Sequence, residues 1–187
     1  MNLPTQYQWL TELKGLPNTI KLALAEFGVK EVIGKGSNRT ILAWRDELNG
    51  AAPAGKPIVS GFSDDDIAWC GLFAAIICYR RKKNIGEAVK EPLWARNWAK
   101  YGTVSPVASL GDVLVFVRNG GGHVGFYVGE DKTAYHVLGG NQSDKVCFTR
   151  ILKSRCIAVR RPPYVTLPQA VQRYHLAAAG NVSANEA

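Results

Sequence analysis

The chain has 187 residues, 47% of them hydrophobic, and a formal net charge of +8. This length suits a single domain with its own core, and no apolar run approaches the roughly 20 residues of a membrane-spanning helix. The positive charge favours an anionic partner, such as an anionic membrane or wall surface. No nucleic-acid-binding motif accompanies the charge, so nucleic acid is not an expected partner.

The first half of the chain is predicted to be helical, because apolar residues recur there at helical spacing. The predicted helices cover residues 5–14, 17–27, 40–48, 66–82 and 93–100. The start of the chain lacks a basic stretch followed by an apolar one, which predicts a protein made in the cytoplasm without a signal peptide.

The second half is predicted to form strands joined by polar turns. The predicted strands cover residues 112–117, 122–129, 135–138, 146–148 and 156–159. Helices followed by antiparallel strands predict an α+β domain. The domain is expected to span residues 1–165, with N-terminal helices in 1–30. A tail, 166–187, is expected to be disordered from about residue 176.

Cys70 is the predicted nucleophile. If Asp66 caps the helix that follows, Cys70 lies in or near its first turn, where unpaired N–H groups and the helix dipole lower a thiol pKa. The Cys70 N–H can also donate to an oxyanion, and Gly71 leaves room for a substrate backbone. The remaining cysteines, which lack CxxC spacing, are interpreted as small buried apolar residues. They are Cys78, Cys147 and Cys156.

His123 is the predicted base among three histidines. It follows three glycines at the start of a strand, so its imidazole is uncrowded, whereas His175 lies near the tail. A hairpin turn centred at residue 132 would pair His123 with Asn141 and place them on one face of the sheet. His136 would then point to the opposite face. The pattern predicts thiolate attack by Cys70, proton transfer by His123 and orientation of its ring by Asn141.

A metal site is not expected. Asp64, Asp65 and Asp66 are adjacent and lack the alternating spacing of a calcium loop, so helix capping is the favoured interpretation. No metal ion or organic cofactor is required by the predicted chemistry.

Three segments carry a resemblance: Trp69-Cys70-Gly71, the GGGHVG run 120–125 and the GGNQSD run 139–144. They resemble the papain-like peptidoglycan hydrolases of the CHAP and NlpC type. Residues 3–163 are similar, more closely, to small phage- and prophage-encoded lysis proteins (endolysins). The resemblance implies a papain-like arrangement with the nucleophile at a helix N-terminus, and the same roles for Cys70, His123 and Asn141.

The chain departs from both patterns at the third catalytic residue. CHAP domains commonly carry a glutamate just before the asparagine, where this chain has Gly139. NlpC-type enzymes place the third residue about a dozen positions after the histidine, which points towards His136. Asn141 is preferred, and His136 remains the alternative. Residues expected to contact substrate are Trp69, Gly71, Gly122, Gly139, Gln142 and Trp94, although packing in the core is the favoured interpretation for Trp94.

The function that the resemblance implies is hydrolysis of a peptidoglycan amide through a thioester. Either an N-acetylmuramoyl-L-alanine amidase or a peptide endopeptidase fits. The protein is expected to be a monomer that reaches the wall after holin-type release or injection. The alternatives are a catalytically silent wall-binding or virion structural protein on the same fold, and a Cys–His acyltransferase.

Overall fold

The structure is a computed structural model that describes residues 2–82 and 89–183. Its helices lie mainly in the first half of the chain, as predicted. The α-helices are α1 (Trp9–Glu12), α2 (Asn18–Ala25), α3 (Arg39–Gly50) and α4 (Cys70–Lys82). Short 3-10 helices cover Thr5–Tyr7, Ala95–Lys100 and Lys153–Arg155.

The strands form one antiparallel sheet in the order β1-β6-β2-β3-β4-β5. They are β1 (Thr103–Val104), β2 (Val113–Arg118), β3 (Gly121–Glu130), β4 (Ala134–Gly139), β5 (Cys147–Leu152) and β6 (Cys156–Arg161). Helices and an antiparallel sheet confirm the α+β class. The short β1 was not predicted.

Alternation along the strands gives the sheet two buried faces. The helix-facing side packs against α4, whose residues are buried from Cys70 to Cys78. Its strand residues include Val113, Val115, Val124, Phe126 and Leu138. The opposite side forms a smaller core with Leu114, Phe116, Tyr127, Val137 and Ile151. Helix α4, which carries Cys70, is thus fixed on the sheet by packing along its first two turns.

The predicted register of the β3–β4 hairpin is confirmed at its centre, where Tyr127 pairs with Val137. A bulge then shifts the pairing between Tyr127 and Gly129, so that Gly129 pairs with His136. The other end of the hairpin differs from the prediction, because β4 ends at Gly139 and does not reach Asn141.

Helix α4 begins at Cys70 and not at Asp66. Its first helical bond joins the Phe73 N–H to the Trp69 carbonyl at 2.9 Å, which makes Trp69 the N-cap. Asp65 is buried and accepts from the N–H groups of Val32 at 3.1 Å and Asn38 at 2.7 Å. The predicted capping role is therefore wrong, because Asp65 holds the 32–38 loop instead.

The C-terminal segment follows the sheet well past residue 176, where disorder was expected. The Leu176 N–H donates to the Glu130 carbonyl at 2.9 Å, and the Ser183 N–H donates to the Arg150 carbonyl at 2.8 Å. Arg173 pairs with the buried Glu130. Residues 176–183 are thus part of the folded unit, and residues 184–187 lie outside the described chain.

Within the described residues, no helix is long and apolar enough to cross a membrane.

Candidate active site

Cys70 occupies the first position of α4, where backbone N–H groups have no helical acceptor. Its side chain is only 4% exposed. Burial raises the pKa of the Cys70 thiol, although the Val124 N–H, the charge of Arg118 and the Gly71 N–H all favour the thiolate. The position of Cys70 at the start of the helix was predicted to lower the thiol pKa, but burial has the larger effect and the pKa is raised. At neutral pH Cys70 is therefore a neutral thiol, and a base would have to remove its proton before the sulfur could act as a nucleophile.

His123 lies near the start of β3 and is 1% exposed. The residue that follows it, Val124, directs its backbone N–H at the Cys70 sulfur. The strand that carries the predicted base therefore contacts the predicted nucleophile directly. Phe116, paired with His123 across the β2–β3 hairpin, packs near its ring with centroids 6.4 Å apart.

Gln142 holds the His123 ring. The Gln142 side-chain oxygen lies 3.0 Å from His123 Nε2. Its amide nitrogen donates to the carbonyls of Val137 and Cys147, which fixes the amide oxygen towards the imidazole. Because that oxygen can only accept, the proton sits on Nε2 and leaves Nδ1 as the basic nitrogen.

The structure corrects the predicted role of Asn141. Asn141 has φ of +53° and lies in the turn after β4. Its buried side-chain oxygen has no hydrogen-bond partner among the described residues. It therefore does not accept from His123. The left-handed conformation of Asn141 reverses the chain, so that the next residue, Gln142, points back at the base.

His136 is not the orienting residue either. Its Nδ1 lies 2.8 Å from the Tyr7 hydroxyl and its Nε2 lies 3.2 Å from Asp131. Asp131 also accepts from Arg150 at 2.8 Å. Burial lowers the pKa of His136, which favours the neutral ring. This network ties the N-terminal segment to β4 and β5, away from Gln142.

Two glycines allow the catalytic elements to approach closely. A Cβ at Gly139 would lie 2.8 Å from the Gln142 side-chain oxygen and 3.3 Å from His123 Nε2. A Cβ at Gly71 would lie 2.1 Å from the Pro92 carbonyl oxygen. Gly71 therefore admits the 92–93 backbone and not, as predicted, a substrate backbone.

The other residues expected to contact substrate differ in how exposed they are to solvent. Trp69 is fully buried against Trp44, with ring centroids 5.9 Å apart, so it supports the helix start instead. Gly122 packs against Arg96. Trp94 is 70% exposed and does not pack in the core.

Glu31 is a further acidic residue at the site. The Trp69 indole N–H donates to the Glu31 carboxylate at 2.5 Å. Burial raises the pKa of Glu31, and the charges of Asp144, Asp65 and Asp66 raise it further. Glu31 was not among the predicted site residues, because no local sequence pattern reports its bond to Trp69.

The three adjacent aspartates form the closest acidic group in the described chain. One carboxylate oxygen from each of Asp64, Asp65 and Asp66 lies within 4.8 Å of the others. Asp64 accepts from the Asp66 N–H at 3.0 Å, and Asp65 bonds the 32–38 loop. The arrangement fits a turn that precedes α4, stabilised by local bonds.

Comparison with known proteins leaves the family open. No protein-family model matches the chain. No curated protein matches it either. The argument for function therefore rests on the geometry of Cys70, His123 and Gln142.

Proposed function

We propose that this protein is a cysteine hydrolase that cleaves an amide bond of bacterial peptidoglycan, on a papain-like arrangement of helix and sheet. The observation that carries the proposal is the His123–Gln142 bond of 3.0 Å. It fixes one imidazole nitrogen as a donor and leaves the other basic, beside a strand that contacts Cys70. A Cys–His pair with an orienting side chain is the machinery of acyl transfer.

The proposed reaction has two steps, acylation of Cys70 and hydrolysis of the resulting thioester. In the first, His123 Nδ1 takes the thiol proton, and Cys70 Sγ attacks the amide carbon. The C–N bond then breaks, the amine leaves with the proton from His123, and a thioester remains. In the second step water attacks the thioester, His123 again moves the proton, and the acid product leaves as the thiol is restored. The Cys70 N–H, which has no acceptor within the helix at this position, can donate to both oxyanions.

Wall peptides and amino sugars suit this site as substrates, since the chain carries a net charge of +8 and peptidoglycan is anionic. The three-segment resemblance to endolysins supports the same substrate. A buried, oriented base favours an enzyme over a silent wall-binding protein, because burying a polar ring with a dedicated partner is costly where only binding is needed. An acyltransferase would use the same residues and differ only in the acceptor.

The test compares Cys70→Ala with Cys78→Ala, a buried cysteine later on the same helix. Cys70→Ala is expected to abolish clearing of outer-membrane-stripped cells while its circular dichroism and melting curve stay near wild type. Cys78→Ala is expected to retain activity at a temperature below its melting point. EDTA should change the wild-type rate less than twofold.

Mass spectrometry of digested sacculi then identifies the bond. New amino and carboxyl ends on stem peptides indicate an endopeptidase, and peptide-free sugar strands indicate an amidase. Full clearing by Cys70→Ala would refute the enzyme and favour the wall-binding alternative. Transfer of the acyl group to an added amine in preference to water would favour the acyltransferase.

A further inference from the structure

Trp94 presents a large apolar side chain to solvent. Its exposure is 70%, whereas Trp44, Trp69 and Trp98 are each at most 1% exposed. Burial of an indole is strongly favourable. These three follow that rule, and Trp9, the remaining tryptophan, is partly buried against the core. Trp94 therefore stands out as an aromatic surface that the fold leaves uncovered.

The backbone beneath Trp94 is nevertheless held firmly. The Asn97 amide donates to the carbonyls of Lys90 at 3.1 Å and Glu91 at 3.2 Å. The Trp98 indole donates to the Pro92 carbonyl at 2.9 Å, and Glu91 adopts φ of +52°. These bonds stabilise the segment without covering the Trp94 ring. The segment thus fixes the position of an exposed indole.

This segment touches both catalytic elements. On one side, the Pro92 carbonyl packs against Gly71, the neighbour of Cys70, so closely that a Cβ there would lie 2.1 Å away. On the other side, the Arg96 guanidinium donates to the Gly121 carbonyl at 3.0 and 2.8 Å. Gly121 begins the strand that carries His123. Trp94 therefore belongs to a segment that contacts the neighbour of Cys70 on one side and the strand of His123 on the other.

Two grooves meet at the exposed ring. One, of about 450 Å³, runs along Pro57, Ile58 and the 89–93 segment. The other, of about 610 Å³, runs between Arg96 and the 120–122 glycines. Trp94 lines both. This layout suits a polymer that continues in both directions over the indole.

Resting on the proposed function, we propose that Trp94 stacks on a sugar ring of the glycan strand and that the amide cut is therefore the one joining sugar to peptide. A pyranose ring has apolar C–H faces that match an indole and rim hydroxyls that match the polar groove walls. The glycan strand is the part of peptidoglycan that extends in both directions, whereas the stem peptide is a short branch. A peptide amine held by cation–π attraction is the competing occupant.

The experiment uses two substrates that contain the same lactyl–peptide amide, one on a complete N-acetylmuramoyl sugar and the other on a lactyl group without the sugar ring. Trp94→Ala is expected to lower kcat/KM for the sugar-bearing substrate at least about tenfold more than for the sugar-free one. Trp94→Tyr keeps an aromatic face and is expected to restore most of the difference. An equal loss on both substrates, or no loss on either, would overturn the sugar assignment.

A binding measurement separates this inference from the proposed function. Inactive Cys70→Ala protein is titrated with peptide-free glycan strands, and indole fluorescence is recorded alongside calorimetry. Glycan binding that is present in Cys70→Ala and lost in Cys70→Ala/Trp94→Ala supports the sugar site. If the wild type then cleaves neither substrate, the hydrolase proposal fails while the sugar site stands. Absence of binding in Cys70→Ala would overturn the sugar site even if the wild type is active.

Discussion

Replacement of Gln142 by alanine is the sharpest test of the catalytic geometry. Gln142 is fully buried, and its oxygen is the acceptor 3.0 Å from His123 Nε2. During attack His123 becomes an imidazolium, and the bond to Gln142 then gains strength because its donor carries charge. Gln142→Ala removes this bond but leaves Cys70 and His123 in place. Gln142 is thus a positioning residue.

The size of the loss follows from the kind of bond. A hydrogen bond to a charged group is worth about 1.5–3 kcal/mol, so the rate should fall roughly 10- to 150-fold. The variant should also lose stability, about 1–3 kcal/mol for each carbonyl left unsatisfied, since the amide nitrogen donates to Val137 and Cys147. Activity is therefore compared below the melting temperature of the variant.

The assay is clearing of stripped cells across a pH series, with Gln142→Glu and Asn141→Gly as matched variants. Glutamate keeps an acceptor for His123, so it should retain more activity than alanine. Its charge would favour the imidazolium and move the acid limb of the pH profile upwards. Asn141→Gly keeps the left-handed turn and should stay within a few-fold of wild type. Folded Gln142→Ala with more than half the wild-type rate at every pH would refute the orienting role.

Two further predictions concern buried ionisable groups. Because burial raises the pKa of Cys70, alkylation of Cys70 by iodoacetamide should reach half-maximum at a higher pH in the native chain than in urea. The unfolded chain loses the thiol proton at lower pH, so the free energy of unfolding should fall as the pH rises above about 8.5. Equal alkylation midpoints in the two states would contradict this prediction. Burial alone would raise the pKa of Asp131, but the Thr133 N–H and Arg150 hold it far below its usual range. Asp131→Asn should therefore cost about 3–5 kcal/mol in urea denaturation at pH 7. Because the Asp131 carboxyl has a lower pKa in the folded chain than in the unfolded one, the advantage of the wild type should begin to shrink once the pH falls below about 4 and should go on shrinking as the pH falls further. A difference that is the same at pH 7 and at about pH 2 would show that the ionised carboxylate is not its source.

Much of the fold was predictable because the pattern of apolar residues along the chain matches the way the strands pack in the structure. The strand pattern of residues 112–117 and 122–129 matches β2 and β3 closely, since alternating apolar residues face two cores. The pairing of Tyr127 with Val137 followed from the turn at residue 132. The start of α4 was misplaced because three aspartates look like caps in sequence. Asp65 is instead drawn inward by the N–H groups of Val32 and Asn38, which lie far away in the chain.

The tail was misjudged for a related reason. Its composition is Ala-rich and polar, which is typical of disorder. Its order comes instead from backbone bonds to Glu130 and Arg150, and composition does not report backbone bonds. The same holds for Glu31, whose bond to Trp69 joins two residues that no periodicity connects.

The error at the third catalytic residue shows where the sequence loses its predictive power. Cys70 and His123, the proposed nucleophile and base, lie on regular elements, at a helix start and near a strand start, so their positions follow from sequence patterns. The orienting residue lies in a turn, and there a single left-handed residue decides which side chain faces the base. Continuing the regular hairpin pairing past Gly139 predicted that Asn141 would face His123. The φ of +53° at Asn141 instead turns the chain, so that the side chain of the next residue, Gln142, contacts His123. Asn141 thus contributes through its backbone, since asparagine is among the few residues that adopt this conformation readily, while Gln142 supplies the side chain that holds the His123 ring.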